Sequence, residues 1–203
     1  MAFIKTLPAS DVGGDVLAMY ARQEAHWGFV PNYARVFCHR PEIMGLWAQL
    51  QAGIKRHMDK RRFELVTFVA AHELRSTLCS LAHGKALTEF FSVDDVLAMA
   101  RSEAPASLLP GEAAMLAFSR LVARDASSVT AEDVTRLQQH GFTDAEIFDI
   151  AATAAGRAFF SKLVESLGVE AEPLFREMSD ELKSALVVGR PVDFAENQAH
   201  AAT

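Results

Sequence analysis

Apolar residues in this chain recur every three or four positions, and nowhere do they alternate with polar ones over the length of a strand. A spacing near 3.6 belongs to a helix with one buried face, and a spacing of 2 to a half-buried strand. The pattern therefore predicts an all-α fold, and Ala, Leu and Glu dominate wherever it is clear. Glycine, proline and capping residues punctuate it. A first helix follows Gly13-Gly14 with Val16, Leu17, Tyr20 and Ala21 as its stripe, and Gly28 and Pro31 break it. Pro31 opens a short helix holding Tyr33, Val36 and Phe37, and Pro41 opens another with Ile43, Met44, Trp47, Leu50 and Ile54. Asp59 is the expected N-cap of the next, where Phe63, Val66, Ala70 and Leu74 mark a buried face.

Residues 60–90 contain no proline and a single glycine, Gly84, so one long helix is open. A break at Arg75 to Thr77 is preferred, because Ser76 or Thr77 can cap a new helix there. Ser92 with Asp95, Thr130 with Asp133 and Thr143 with Glu146 are capping pairs. The last opens a long apolar helix through Ile147, Ile150, Ala154, Phe159 and Leu163, stopped at Gly168. The PASLLPG segment (105–111) is too short to separate domains, so residues 1–188 are expected to form one helical domain. A last helix is expected after Pro173, and residues 189–203 are expected to be a frayed tail.

Half of the 203 residues are apolar and 23% are charged, a globular balance. The net charge is −6 with no basic stripe, which argues against nucleic acid as a partner. No apolar run reaches a membrane span, and the N-terminal MAFIKTLPASD lacks the pattern of a secretion signal. Two cysteines, Cys38 and Cys79, are no disulfide framework. A soluble, reducing, cytoplasmic setting is expected.

The chemistry-bearing stretch is RFELVTFVAAHELRSTLCSLAHGKAL, Arg62 to Leu87. Cys79 and His83 are four apart, so on a helix they share a face. An imidazole so placed can take a thiol's proton, and a carboxylate behind it, such as Glu64, would orient the ring. On an unbroken helix Glu64, Ser76, Cys79 and His83 fall within a sector of about 120°. If a helix begins at residues 76–77, Cys79 lies in its first turn, where the helix dipole favours a thiolate. Bland readings stand beside these. Glu64 can face solvent or pair with Arg61 or Arg62, Cys79 can be a small core residue, and Cys38 reads as inert packing. Zinc held by Cys79, His83 and His72 or His57 is a weak alternative, since no second ligand pair stands out; no metal or cofactor is expected.

The stretch resembles the core motif of the alkylhydroperoxidase D (AhpD-like) and carboxymuconolactone decarboxylase superfamily. That motif is a glutamate, then twelve residues on a C-x-x-C pair, then a histidine four after the second cysteine. Glu64, Cys79 and His83 match it, and Ser76 stands where the first cysteine would be. The flanks from Gly28 to Leu50 and from Ala117 to Val169 resemble the peroxidase-related branch, so the likeness covers roughly residues 14–175. A faint internal echo, Glu64 with Cys79 and Glu146 with Ser161, suits a duplicated helical unit.

The resemblance implies an all-α bundle in which histidine and glutamate activate a thiol, and a trimer or hexamer of identical chains. Typical members are peroxidases in which the partner cysteine resolves a sulfenic acid as a disulfide. Serine cannot form that bond, so Ser76 removes internal resolution and the disulfide-reductase route, though it can hydrogen-bond a thiolate or a substrate oxygen. The reading is a single-cysteine hydroperoxidase with Cys79 as nucleophile, His83 as base, Glu64 as orienter and an external thiol as reductant. Two alternatives remain: an acid/base enzyme of the decarboxylase type, which lacks a basic residue in the motif, and an oligomeric scaffold that kept the fold without activity.

Overall fold

The punctuation read from the sequence divides the chain into ten α-helices in the computed structural model, which describes residues 2–194 and contains no strand among them. The first three helices are α1 (Gly14–Trp27), α2 (Asn32–Val36) and α3 (Pro41–Lys55). The central ones are α4 (Lys60–Glu73), α5 (Thr77–Leu87), α6 (Val93–Ala100) and α7 (Glu112–Asp125), followed by α8 (Ala131–Gln139), α9 (Asp144–Ser166) and α10 (Asp180–Leu186). Asp59 caps α4 by accepting from Arg62 N at 2.8 Å. Ser92, Thr130 and Thr143 form full capping boxes with Asp95, Asp133 and Glu146. No helix among the described residues is long and apolar enough to cross a membrane.

The centre of the molecule is α4. Every residue from Phe63 to Ala71 is buried, so this helix has no polar face over two and a half turns. It is enclosed by α5, α7 and α9, while α3 packs on α9 and α1 on α3, and α10 packs on α5 and α6. Truncating a fully buried ring such as Phe68 would cost about 3–5 kcal/mol through lost burial and the cavity left behind. On α5, Gly84 lets Leu186 of α10 and Phe68 of α4 approach its backbone, where a side chain would press on both.

The break between α4 and α5 falls where the sequence puts it. Leu74 ends α4, Arg75 takes a left-handed conformation (φ 55°), and Ser76 begins the next helix. Arg75 N donates to His72 O and Ser76 N to Ala71 O, each at 3.0 Å, the two bonds of a Schellman stop. An arginine there costs about 1–2 kcal/mol that glycine would not. The segment after α10 clasps this corner: Arg75 Nε donates to Val188 O, and Gly189 N to Thr77 Oγ1, both at 3.0 Å.

One sequence expectation is corrected. Residues 189–194 are docked rather than frayed, because Arg190 Nη2 donates to Glu165 O (3.0 Å) and Val192 and Phe194 pack on the core. The rest of that expected tail, 195–203, lies outside the described residues. The last helix does follow Pro173: that residue opens a 3-10 turn (Pro173–Glu177), and α10 begins after Ser179 as its N-cap.

Candidate active site

Glu64 comes from the middle of α4, and Cys79 and His83 from the first and second turns of α5. The Schellman stop turns α5 back across α4. Glu64 and His83, nineteen residues apart, thereby meet: Glu64 Oε2 lies 2.7 Å from His83 Nδ1. Arg61 and Arg62 are not competitors for Glu64. Arg61 grips Glu112 with two bonds (Nε 3.0 Å, Nη2 2.9 Å), and Arg62 Nη1 holds Glu146 at 2.8 Å. The bland reading of Glu64 as a surface partner of these arginines therefore fails.

Burial pushes the Glu64 carboxyl up, but His83, Lys55 and Arg157 outweigh it and leave it below the usual carboxylate range. An ionised carboxylate can only accept, so the ring donates from Nδ1. Burial, and after it the positive charge of Arg157, holds the imidazole below its ordinary value despite Glu64. His83 is thus neutral at pH 7 with its lone pair on Nε2, the state of a general base.

Cys79 is buried at the third position of α5. The helical ladder begins with Ser80 N donating to Ser76 O (2.8 Å), so the N–H groups of Thr77, Leu78 and Cys79 stand outside it at the positive end of the helix. The group hydrogen-bonded to the sulfur is one the sequence reading missed: Arg157 Nη1 of α9, at 3.8 Å. Arg157 is buried, and its guanidinium lies over the rings of Phe160 (5.4 Å) and Trp47 (5.8 Å). The signal for it was available. Between Ile150 and Lys162 Arg157 is the one charged residue, in a helix otherwise apolar there. The rule that singled out Glu64 applies equally to it.

Ser76 is fully buried at the N-cap of α5, yet its hydroxyl does not cap. It donates instead to Glu165 Oε1 on α9 at 3.0 Å. The hydroxyl's partner is a carboxylate, not the thiol that the sequence reading allowed for it. Cys38 is buried against Tyr20, whose phenol is raised to about 12 by burial first and by Cys38 second. His72 faces the Ala185 carbonyl (Nε2 to O 3.4 Å) and His57 is exposed. Neither joins Cys79 and His83, and no group of three or more His, Cys, Asp or Glu among the described residues is arranged to hold a metal.

No protein-family model matches the chain, and no curated protein does. Solved structures do. An uncharacterized peroxidase-related protein with an alkylhydroperoxidase AhpD core, from Ralstonia eutropha JMP134, superposes with a TM-score of 0.72 at 22% identity, covering 93% of this chain and 98% of that one. A peroxidase-related protein from Silicibacter sp. TM1040 gives 0.73 at 19% identity, over 85% and 93% of the two chains. The debrominase Bmp8 gives 0.70 at 16% identity, over 89% and 94%. The fold is therefore AhpD-like, as the glutamate–cysteine–histidine spacing implied.

Proposed function

We propose that the protein is a single-cysteine hydroperoxidase-like thiol oxidoreductase. The observation that carries this reading is the Glu64–His83 hydrogen bond of 2.7 Å, one helical turn from a cysteine at a helix start. A carboxylate-oriented, neutral imidazole beside a thiol is the arrangement that withdraws a thiol proton. In the reaction His83 Nε2 takes the Cys79 proton and the thiolate attacks one peroxide oxygen. The O–O bond breaks, the leaving alkoxide or hydroxide takes that proton from His83, and Cys79 becomes a sulfenic acid. The sulfur is oxidised by two electrons and the peroxide is reduced to alcohol or water. Ser76 offers no thiol, so an external thiol condenses with the sulfenic acid, releasing water. A second external thiol then frees Cys79 as the thiol and leaves as a small disulfide.

The decarboxylase-like alternative gains a buried cation in Arg157, which the motif alone did not offer. The peroxidase reading is preferred because that cation contacts the sulfur. The debrominase with a similar fold, one form of which is a cysteine-to-alanine variant in complex with 2,3,4-tribromopyrrole, keeps an organic substrate in view as an alternative to a peroxide. Titration with hydrogen peroxide and with cumene hydroperoxide, read by mass on the Cys79 peptide, tests the proposal. One added oxygen, trapped by dimedone and reversed by a small thiol, is expected. A Cys79 no more reactive than a free thiol sinks it and leaves the scaffold reading.

A further inference from the structure

We infer that Arg157 is a fourth working residue of this site, the counter-ion that holds negative charge on the Cys79 sulfur. The inference rests on the thiol chemistry proposed above and supplies what that chemistry lacks, a group for the charge that appears when His83 takes the proton.

A guanidinium out of water needs an anion or a full set of acceptors. Arg157 is 7% exposed, and its Nε has no hydrogen-bond partner among the described residues. The neighbouring carboxylates are committed elsewhere. Glu64 holds His83, and Glu165 accepts from Ser76 and lies 4.0 Å from Arg190. Two aromatic faces, Trp47 of α3 and Phe160 of α9, hold the cation in place; they supply no full negative charge. What Nη1 reaches is Cys79 Sγ, at 3.8 Å. A neutral thiol is a poor acceptor for a buried arginine, whereas a thiolate is a full counter-charge.

The other titratable groups facing the site agree. Lys55 of α3 is a second cation, and burial above all lowers its affinity for its proton. Tyr33 of α2 packs on Phe160 and, raised to about 12 by burial, stays neutral. Glu64 directs its charge to the imidazole, and that of Glu165 is matched by Arg190. The site therefore has a positive charge to spare when Cys79 is protonated and is balanced when Cys79 is ionised. The same charge disfavours a proton on His83, so the ring passes it to the leaving oxygen rather than storing it. After the attack, Arg157 remains beside the oxidised sulfur and its new oxygen.

The test needs a readout that depends on charge beside the sulfur rather than on activity. The Cys79 peptide is followed by mass during alkylation with iodoacetate, an anion, and with iodoacetamide, its neutral counterpart. The fraction of thiolate cancels in the ratio of the two rates, and a neighbouring cation raises that ratio. Arg157→Gln, which keeps a planar donor without the charge, is expected to lower the ratio about fivefold or more and to slow iodoacetamide at pH 7. Arg157→Lys should recover most of the ratio. An unchanged ratio in a folded Gln variant overturns the inference. If circular dichroism shows that variant unfolded, the wild-type ratio is compared with that of N-acetylcysteine amide, a reference thiol without a charge of its own. A higher value supports the inference, and an equal or lower one overturns it. Peroxide plays no part in these measurements. A protein that reduces peroxide with an unaltered ratio loses this inference alone, and one with the altered ratio that ignores peroxide loses only the peroxidase reading.

Discussion

Glu64 and His83 face each other at 2.7 Å although one belongs to the most enclosed helix of the molecule and the other to the helix that turns back over it. The contact fixes the tautomer of the ring and leaves Nε2 as its base. Removing the ring should therefore cost Cys79 its proton acceptor, and removing the carboxylate's charge should cost only the stabilisation it gives the protonated ring. His83→Ala is expected to slow peroxide oxidation of Cys79 by at least about a hundredfold, and Glu64→Gln by a smaller factor. Cys38→Ala, on the far smaller role assigned to that buried thiol, should change neither rate. Stopped-flow peroxide kinetics on the four proteins check the order; equal rates in wild type and His83→Ala would remove His83 from the mechanism.

The same pair makes stability fall in acid. The folded-state affinity of His83 for a proton lies below its ordinary value, so the unfolded chain binds more protons as the pH drops. The stabilisation is complete above about pH 6.5 and is lost as the pH falls below it. Glu64, also lowered, adds a second loss below about pH 4.5. Urea midpoints measured from pH 8 to 5 should decline in wild type, and the decline should be shallower in His83→Gln.

Glu172 has the opposite sign. It is buried, accepts from Asn32 N at 2.6 Å, and burial raises its carboxyl to about 7. A group raised on folding stabilises below its unfolded value and loses that contribution as the pH climbs through the folded one. Glu172→Gln keeps an acceptor without the charge. At pH 8 the variant is expected to be more stable than wild type by about 1–3 kcal/mol, and near pH 4.5 to match it. A constant difference across that range would refute the assignment.

The legible parts of this molecule were those that local chemistry decides. Asp59, Ser92, Thr130 and Thr143 announce helix starts through their own side chains, and the break before Thr77 follows from the residues around it. Helix spacing alone only allowed Glu64 to stand behind His83, and the family likeness strengthened the pairing, because a helix break separates the two residues. The Ser76 bond to Glu165 spans 89 residues and has no local signal at all. Residues 189–194 read as a tail because their partners, Thr77 and Glu165, are equally remote. Arg157 is different. A lone charge in an apolar helix is a local anomaly, and attention confined to the motif passed over it.

A homo-oligomer remains the expectation, and the structure supplies a surface for it. On α3, Ile43, Leu46 and Leu50 form an exposed stripe, and α9, which packs against α3, exposes Phe148 and Phe159. Phe159 is the outward member of the Phe159–Phe160 pair, with Phe160 turned inward onto Trp47. Exposed apolar area of this kind marks association surfaces. Light scattering at micromolar concentration should give a trimer or hexamer, and Leu46→Glu with Phe148→Glu should reduce its mass. A monomeric wild type would end the expectation.

Ser76 offers the sharpest test of what separates this chain from a C-x-x-C protein. Positions 76 and 79 lie at a helix start, where residues three apart have Cα atoms about 5 Å from each other, inside the range a disulfide spans. Ser76→Cys should therefore let peroxide-oxidised Cys79 close an internal disulfide, seen as a loss of two mass units that a reductant reverses. The cost is the hydroxyl's bond to Glu165, and leaving that half-buried carboxylate one donor short should destabilise the reduced variant by about 1 kcal/mol. The wild type, with a serine at position 76, should instead accumulate sulfinic acid under excess peroxide unless an added thiol intercepts it. If Ser76→Cys over-oxidises as readily as wild type and forms no internal bond, the corner that Arg75, Gly189 and Glu165 hold together is too rigid for position 76 to resolve Cys79. The serine would then mark a site remodelled around an external reductant rather than one that merely lost a cysteine.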